Sequence, residues 1–251
     1  MERKKIKWLV PLLVVIGMLY LIGLISVHLN QRSMIFLPSQ GKVENPELEV
    51  WIHGKDEIGF KREVEGAQRI WFMLHGNAGQ AAHRSYMLPH LPETDSFHVL
   101  EYPGYGERPG FPSKETFNAA AEEAYQALRE AHPEADIVVI GESIGSGPAC
   151  HLATTDHPPS RIVLFTPFDT MINLASHHAG WFPAALIIKD DWDNIEALKG
   201  FEGKLELYGA QPDQTIPYAM AKRLAESGNG AQLTDLDCDH NGWSKMELNL
   251  K

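Results

Sequence analysis

The hydrophobic pattern divides the chain at once. Trp8 to Val27 is a run of 20 residues without a charge. At ~1.5 Å rise per residue, such a run crosses a ~30 Å hydrocarbon layer as one helix. Pro11, Gly17 and Gly23 are tolerable in a membrane helix. A cleaved signal peptide would have a shorter apolar stretch with small residues before the cut, and Leu24-Ile25-Ser26 makes a poor cleavage site. The pattern predicts an uncleaved anchor within residues 1–30. Gln31 to Pro46, punctuated by Pro38, Gly41 and Pro46, reads as a stalk over 31–47. Residues 48–251 are then one catalytic-sized domain.

Within that domain the period changes to that of strands. Leu48–Ile52 and Ile58–Val64, joined through His53-Gly54-Lys55-Asp56, predict an antiparallel edge. Arg69–Leu74 is almost continuously apolar, the pattern of a strand buried on both faces. Phe97–Leu100, Asp136–Ile140, Arg161–Phe165, Lys204–Tyr208 and Ala231–Leu236 continue the series. Between them lie helical stretches. Lys114 to Ala131 spaces Phe117, Ala121, Ala124, Tyr125 and Leu128 along one face, with Ser113 as cap. A second helix follows Gly145, and a third runs from Pro217 to Ser227. Strands alternating with helices predict an α/β architecture, a mostly parallel central sheet with helices on both faces. Residues 170–200 break the rhythm with Met171, Ile172, Leu174, Trp181, Phe182, Leu186, Ile187 and Ile188. Two forms are open for this small insert: a cap lining a hydrocarbon pocket, or an ordinary crossover helix. Asp190, Asp191 and Asp193 within it are expected to face solvent.

Charge refines the picture. The formal net charge is −11, but residues 1–7 carry +3, so the remainder carries −14. An acidic body without a basic stripe argues against nucleic acid as partner. The basic cluster Arg3, Lys4, Lys5 and Lys7 precedes the apolar run, and only Arg32 follows closely. The positive-inside rule then predicts a single pass with a cytoplasmic N-terminus and an extracytoplasmic catalytic domain. Cys150 and Cys238 are too few for a disulfide framework or a zinc site; one bridge between them is the only pairing open. Nothing in the chain implies a cofactor.

The chemistry centres on Gly141-Glu142-Ser143-Ile144-Gly145, which follows the β-branched run Asp136–Ile140 and opens onto a helix. Strand, sharp turn, helix is the context in which a serine is presented as nucleophile above a sheet edge. A serine hydroxyl needs a base, and the base an orienting carboxylate, arriving in the order Ser, acid, His. His151 and His157 belong to the helix after the turn, and His177 and His178 to the insert. His240, after the last strand, is the candidate base. Asp213, after strand Lys204–Tyr208, is the first candidate acid, and Asp169, after strand Arg161–Phe165, the second. The backbone amides of Ile144 and Asn77 are the candidate oxyanion donors. His75 precedes the acid in the chain and is expected to brace the loop that holds Asn77.

Four segments carry a family resemblance: His75-Gly76-Asn77-Ala78-Gly79, Tyr102-Pro103-Gly104-Tyr105-Gly106-Glu107-Arg108-Pro109-Gly110, Gly141–Gly145 and Thr166-Pro167-Phe168-Asp169-Thr170. From about residue 48 onward the chain resembles the α/β-hydrolase-domain serine hydrolases, in the N-terminally anchored branch with protein depalmitoylases and lysophospholipid or monoacylglycerol lipases. The resemblance implies the α/β-hydrolase fold, a Ser143–Asp213–His240 triad and a small-molecule or lipid-like acyl ester or thioester as substrate. Ala210-Gln211-Pro212-Asp213-Gln214 departs from the usual Gly or Glu neighbours of the acid. A serine aminopeptidase-like peptidase, which would want an acidic subsite, and a non-catalytic membrane-tethered binding protein are the alternatives.

Overall fold

Alternation along each strand assigns its side chains to one of two cores. The computed structural model describes residues 2–180, 183–228, 230–248 and 250, and the side chains of residues 2–7 are not part of that description. Trp181 and Phe182 of the expected apolar insert, and the side chains of Arg3, Lys4, Lys5 and Lys7, therefore lie outside the described residues. The strands are β1 (Glu49–His53), β2 (Asp56–Arg62), β3 (Arg69–Leu74), β4 (Ser96–Leu100), β5 (Asp136–Glu142), β6 (Arg161–Phe165), β7 (Lys204–Ala210) and β8 (Gln232–Leu236). They form one sheet in the order β1-β2-β4-β3-β5-β6-β7-β8. The β1–β2 and β2–β4 pairings are antiparallel and the remaining five parallel.

The helices are α1 (Glu2–Ile35), α2 (Lys114–Ala131), α3 (Ser146–Leu152), α4 (Met171–His178), α5 (Ala184–Ile187), α6 (Asn194–Leu198) and α7 (Tyr218–Ser227). Ile70, Phe72 and Leu74 of β3, with Ile137 and Val139 of β5, face the core built by α2, α3, α6 and α7. Trp71 and Met73, with Val138 and Ile140, face the other way, onto Met87, Trp243 and Leu250. Two 3₁₀ segments, Ala81–His90 and Gly242–Lys245, cover that second face. The stretch before β4 has no amphipathic period in the sequence, consistent with a 3₁₀ segment there rather than an α-helix. Strand order reverses between β3 and β5, and the crevice at the carboxyl ends of these neighbours is where parallel sheets hold ligands.

Helix α1 is 34 residues long and contains the 28-residue stretch Trp8–Ile35, apolar and long enough to cross a membrane. Where a stalk is expected, the chain stays helical to Ile35 and docks on the domain. Phe36 is buried with its ring 5.1 Å from that of Phe117 and 6.2 Å from that of Trp192. Asp190, expected to face solvent, is instead fully buried. Its Oδ2 accepts from Arg32 Nε at 2.9 Å and its Oδ1 from the Lys114 backbone N–H at 2.7 Å. The partner that makes this burial affordable is 158 residues away in the chain, which no local pattern could announce. Asp193 caps α6 by accepting from Glu196 N–H, and Asp191 is half-buried.

Asp190→Ala removes the acceptor for both Arg32 and Lys114 N–H. The expected loss is about 1–3 kcal/mol, read as a lowered midpoint in thermal denaturation of the detergent-solubilised full chain.

Candidate active site

Ser143 is held by the tightness of the turn around it. A β-carbon on Gly145 would lie 2.0 Å from the Leu74 carbonyl oxygen, and one on Gly141 2.7 Å from Cβ of Ala149. Only glycine permits strand β5 and helix α3 to approach β3 this closely. Ser143 itself has φ +53°, a left-handed conformation that costs a non-glycine residue free energy and persists because its surroundings impose it. Its side chain is aimed at the crevice, and the residue is 8% exposed.

Two loops converge on that hydroxyl. His240, after β8, has its Nε2 3.0 Å from Ser143 Oγ, across 97 residues of chain. Its Nδ1 lies 2.7 Å from Asp213 Oδ2 in the loop after β7. A carboxylate only accepts, so Nδ1 carries the hydrogen and Nε2 offers its lone pair to the serine. The other Asp213 oxygen accepts from the Thr215 and Ile216 backbone N–H groups at 2.8 and 2.9 Å. These bonds fix the carboxylate, whose side chain is 1% exposed. Of the two acids left open by the sequence, Asp213 is the one beside His240. Asp169 is buried elsewhere, accepting from Arg223 Nε at 2.6 Å, Thr170 N–H at 2.6 Å and Asn173 Nδ2 at 3.1 Å. His151 pairs with Glu122, and His178 Nε2 lies 2.8 Å from the Thr215 carbonyl.

Asn77 and Ile144 border the same cavity as Ser143. The Asn77 side chain is fully engaged. Its Oδ1 accepts from Leu37 N–H and the Tyr105 hydroxyl at 2.9 and 2.8 Å, and its Nδ2 donates to the Ile35 carbonyl at 2.6 Å. It thereby ties the loop after β3 to the end of α1. His75 braces the same loop, as expected: it is buried, its Nδ1 is 2.8 Å from the Gly76 carbonyl, and its ring lies 4.5 Å from that of Tyr102.

A residue given no role from the sequence, Glu142, holds the loop from the other side. It accepts from Gly76 N–H at 2.8 Å and from the Tyr86 hydroxyl at 2.7 Å. Burial, with this carboxylate beside it, pushes the Tyr86 phenol well above its ordinary pKa and keeps it a donor. The signal was present: an acidic side chain between a fully apolar strand and the serine has to be paired when buried.

Over Ser143 lies a cavity of about 370 Å³. The insert forms part of its wall through Met171, Leu174, Ala175 and Ile188, with Phe168 and Ile216 beside them. The second half, carrying Leu198, packs into the main core. Met171, Leu174 and Ile188 of the insert therefore both line the cavity and pack on the main core. Cys150 and Cys238 are free thiols. Burial raises the pKa of Cys150, and burial together with Asp239, Asp213 and Asp237 raises that of Cys238. Neither competes with Ser143 as a thiolate. Among the described residues, no group of three or more His, Cys, Asp or Glu is disposed to hold a metal.

A serine on a strained turn between a central parallel strand and a helix defines a hydrolase of the α/β class. The family profile described as "alpha/beta hydrolase fold" matches residues 72–244, and the chain belongs to that family. An uncharacterized protein of Mycobacterium tuberculosis is 28% identical over 214 residues, covering 78% of this chain and 74% of that protein. A lysophosphatidylserine lipase of Danio rerio is 22% identical over 191 residues; the match covers 68% of this chain but spans half the length of the lipase. Among solved structures, the Pyrococcus furiosus esterase Pf2001 superposes with a TM-score of 0.64 at 14% identity, over 83% of this chain and 95% of the esterase. An esterase of Exiguobacterium antarcticum gives 0.56 at 15% identity, over 73% and 89%.

Glu142→Ala leaves Gly76 N–H and the Tyr86 hydroxyl buried without an acceptor. Each should cost about 1–3 kcal/mol, seen in thermal denaturation. Ester turnover should fall more steeply than stability alone explains, because the loop carrying Asn77 loses its brace.

Proposed function

We propose that the chain is a carboxylic ester hydrolase that works through an acyl-enzyme on Ser143. The observation that carries this reading is His240, whose two ring nitrogens lie 3.0 Å from Ser143 Oγ and 2.7 Å from Asp213 Oδ2. Ser143 passes its proton to Nε2 as Oγ attacks the acyl carbon. Asp213 keeps the imidazole in the correct tautomer and stabilises the imidazolium. The backbone N–H groups of Asn77 and Ile144 receive the charge that develops on the carbonyl oxygen. The imidazolium then protonates the departing alcohol or thiol, and water, deprotonated by the same base, releases the acid.

The cavity lining favours a lipid-like acyl group. Its described residues include no Asp, Glu, Lys or Arg, so an acyl chain is accommodated and a substrate α-amine finds no counter-charge. That weighs against the peptidase alternative, as the complete constellation weighs against a binding protein without activity. The lipase name of the Danio rerio relative points the same way. Helix α1 anchors the enzyme in a membrane by its uncharged run Trp8 to Val27. The basic residues before it put the N-terminus in the cytoplasm and the catalytic domain outside.

Ser143→Ala should abolish labelling by a fluorophosphonate and lower p-nitrophenyl ester hydrolysis at least ~10³-fold, with the fold intact by circular dichroism. Asp213→Asn should cut kcat by orders of magnitude; if Asp169→Asn does so and Asp213→Asn does not, the acid is misassigned. Topology has its own measurement. Protease added outside intact membranes should digest residues beyond about 30 while an N-terminal tag survives, and a protected C-terminal tag reverses the orientation.

A further inference from the structure

The buried positions of helix α1 follow a helical stripe. Residues 8–22 are exposed along the helix, whereas Gly23, Leu24, Val27, His28, Gln31 and Ile35 are buried or half-buried. Val27, Gln31, Met34 and Ile35 line the cavity that also exposes Ser143 and Ile144. Spacing of 4, 7 and 8 residues puts these four on one helical face. From Val27, the end of the uncharged run, to Ile35 is ~12 Å along the axis. The polar zone on each side of a bilayer core is about 5–8 Å thick. The cavity wall supplied by α1 therefore begins at the hydrocarbon edge and ends past the headgroups.

The helix cannot swing away from this position without breaking specific bonds. Gln31 Nε2 donates to the Ile187 carbonyl at 2.9 Å, and its Oε1 accepts from Lys189 N–H at 2.6 Å. Arg32 grips buried Asp190, and Asn77 bonds Ile35 and Leu37. Met34, which lines the cavity, is 63% exposed, and Leu186 of α5, a helix packed against α1, is 83% exposed. Large apolar side chains left in the open here fit contact with a lipid surface better than contact with water.

We infer that the anchor helix is one wall of the acyl-binding pocket, and that the substrate is a bilayer-resident acyl ester whose chain passes along α1 from the bilayer directly into the pocket. The inference rests on the hydrolase reading of Ser143. A lipid of this kind keeps its tail against Val27 while its ester, at headgroup depth, meets Ser143. Extraction of the whole chain into water, at ~0.8 kcal/mol per methylene, is avoided.

The test uses the full chain in phosphatidylcholine vesicles. Val27→Trp and Met34→Trp, which fill or reshape the wall, should each lower the ratio of kcat/KM for p-nitrophenyl palmitate to that for the acetate at least tenfold. Leu21→Trp, outside the wall, should leave that ratio within twofold of wild type. Fluorophosphonate labelling reports that each variant is folded, and Val27→Phe replaces any tryptophan variant that does not label. A two-chain acylglycerol with a fluorescent acyl group should be cleaved at least tenfold faster in the enzyme's own vesicles than in separate ones. Unchanged chain-length ratios in labelled variants overturn the wall, and equal rates in shared and separate vesicles overturn lateral entry. A wild-type chain that fails to label strikes the hydrolase reading instead.

Discussion

The contact between Gly145 and the Leu74 carbonyl sets the geometry of everything nearby. With no side chain to hold the segments apart, the turn after β5 closes down on the end of β3. That closeness forces Ser143 into a left-handed conformation and points its hydroxyl into the crevice. It also brings the loop after β3 alongside, so that Glu142 can reach across to Gly76 and Asn77 can border the same cavity as Ile144. The loops after β7 and β8 then need only deliver one carboxylate and one imidazole. Strain at the serine is balanced by the central strands β3, β4, β5 and β6, which are buried along almost their whole length.

Support for the site is distributed unequally. On the β3 side, His75, Arg84 and Glu142 surround the loop with fixed donors and acceptors, and Arg84 donates to both the Gly76 and Ala78 carbonyls. On the β7 side, Asp213 is held by two backbone amides, and His178 links α4 to the same loop through Thr215. The roof of the cavity is thus tied directly to the loop carrying the acid.

Much of this was legible in the sequence because it depends on local chemistry. The continuous apolar runs gave the parallel strands, and Gly141-Glu142-Ser143-Ile144-Gly145 gave the turn. Chain order narrowed twelve histidines to His240. The choice between Asp213 and Asp169 stayed open since both follow strands; the structure separates them by what each is bonded to, Arg223 and Asn173 for Asp169 against backbone amides and His240 for Asp213. Contacts between distant segments were invisible. Asp190 reads as one of three surface acids until Arg32 is brought to it, and nothing about Phe36 announces a tilted and edge-on aromatic cluster with Phe117 and Trp192. The stalk was expected because prolines and a glycine follow the apolar run, but those residues turn the chain only after α1 has docked.

The unbroken course of α1 from the apolar run into the cavity wall makes the helix a ruler as well as a wall. Each residue along it advances ~1.5 Å and turns ~100°. Inserting one residue above Val27 would leave composition and hydropathy nearly unchanged, yet it would lift the catalytic domain by one step and swing the whole upstream helix around its axis. Reach and azimuth of the site relative to the upstream helix are therefore encoded by residue count, independently of which apolar residues do the counting.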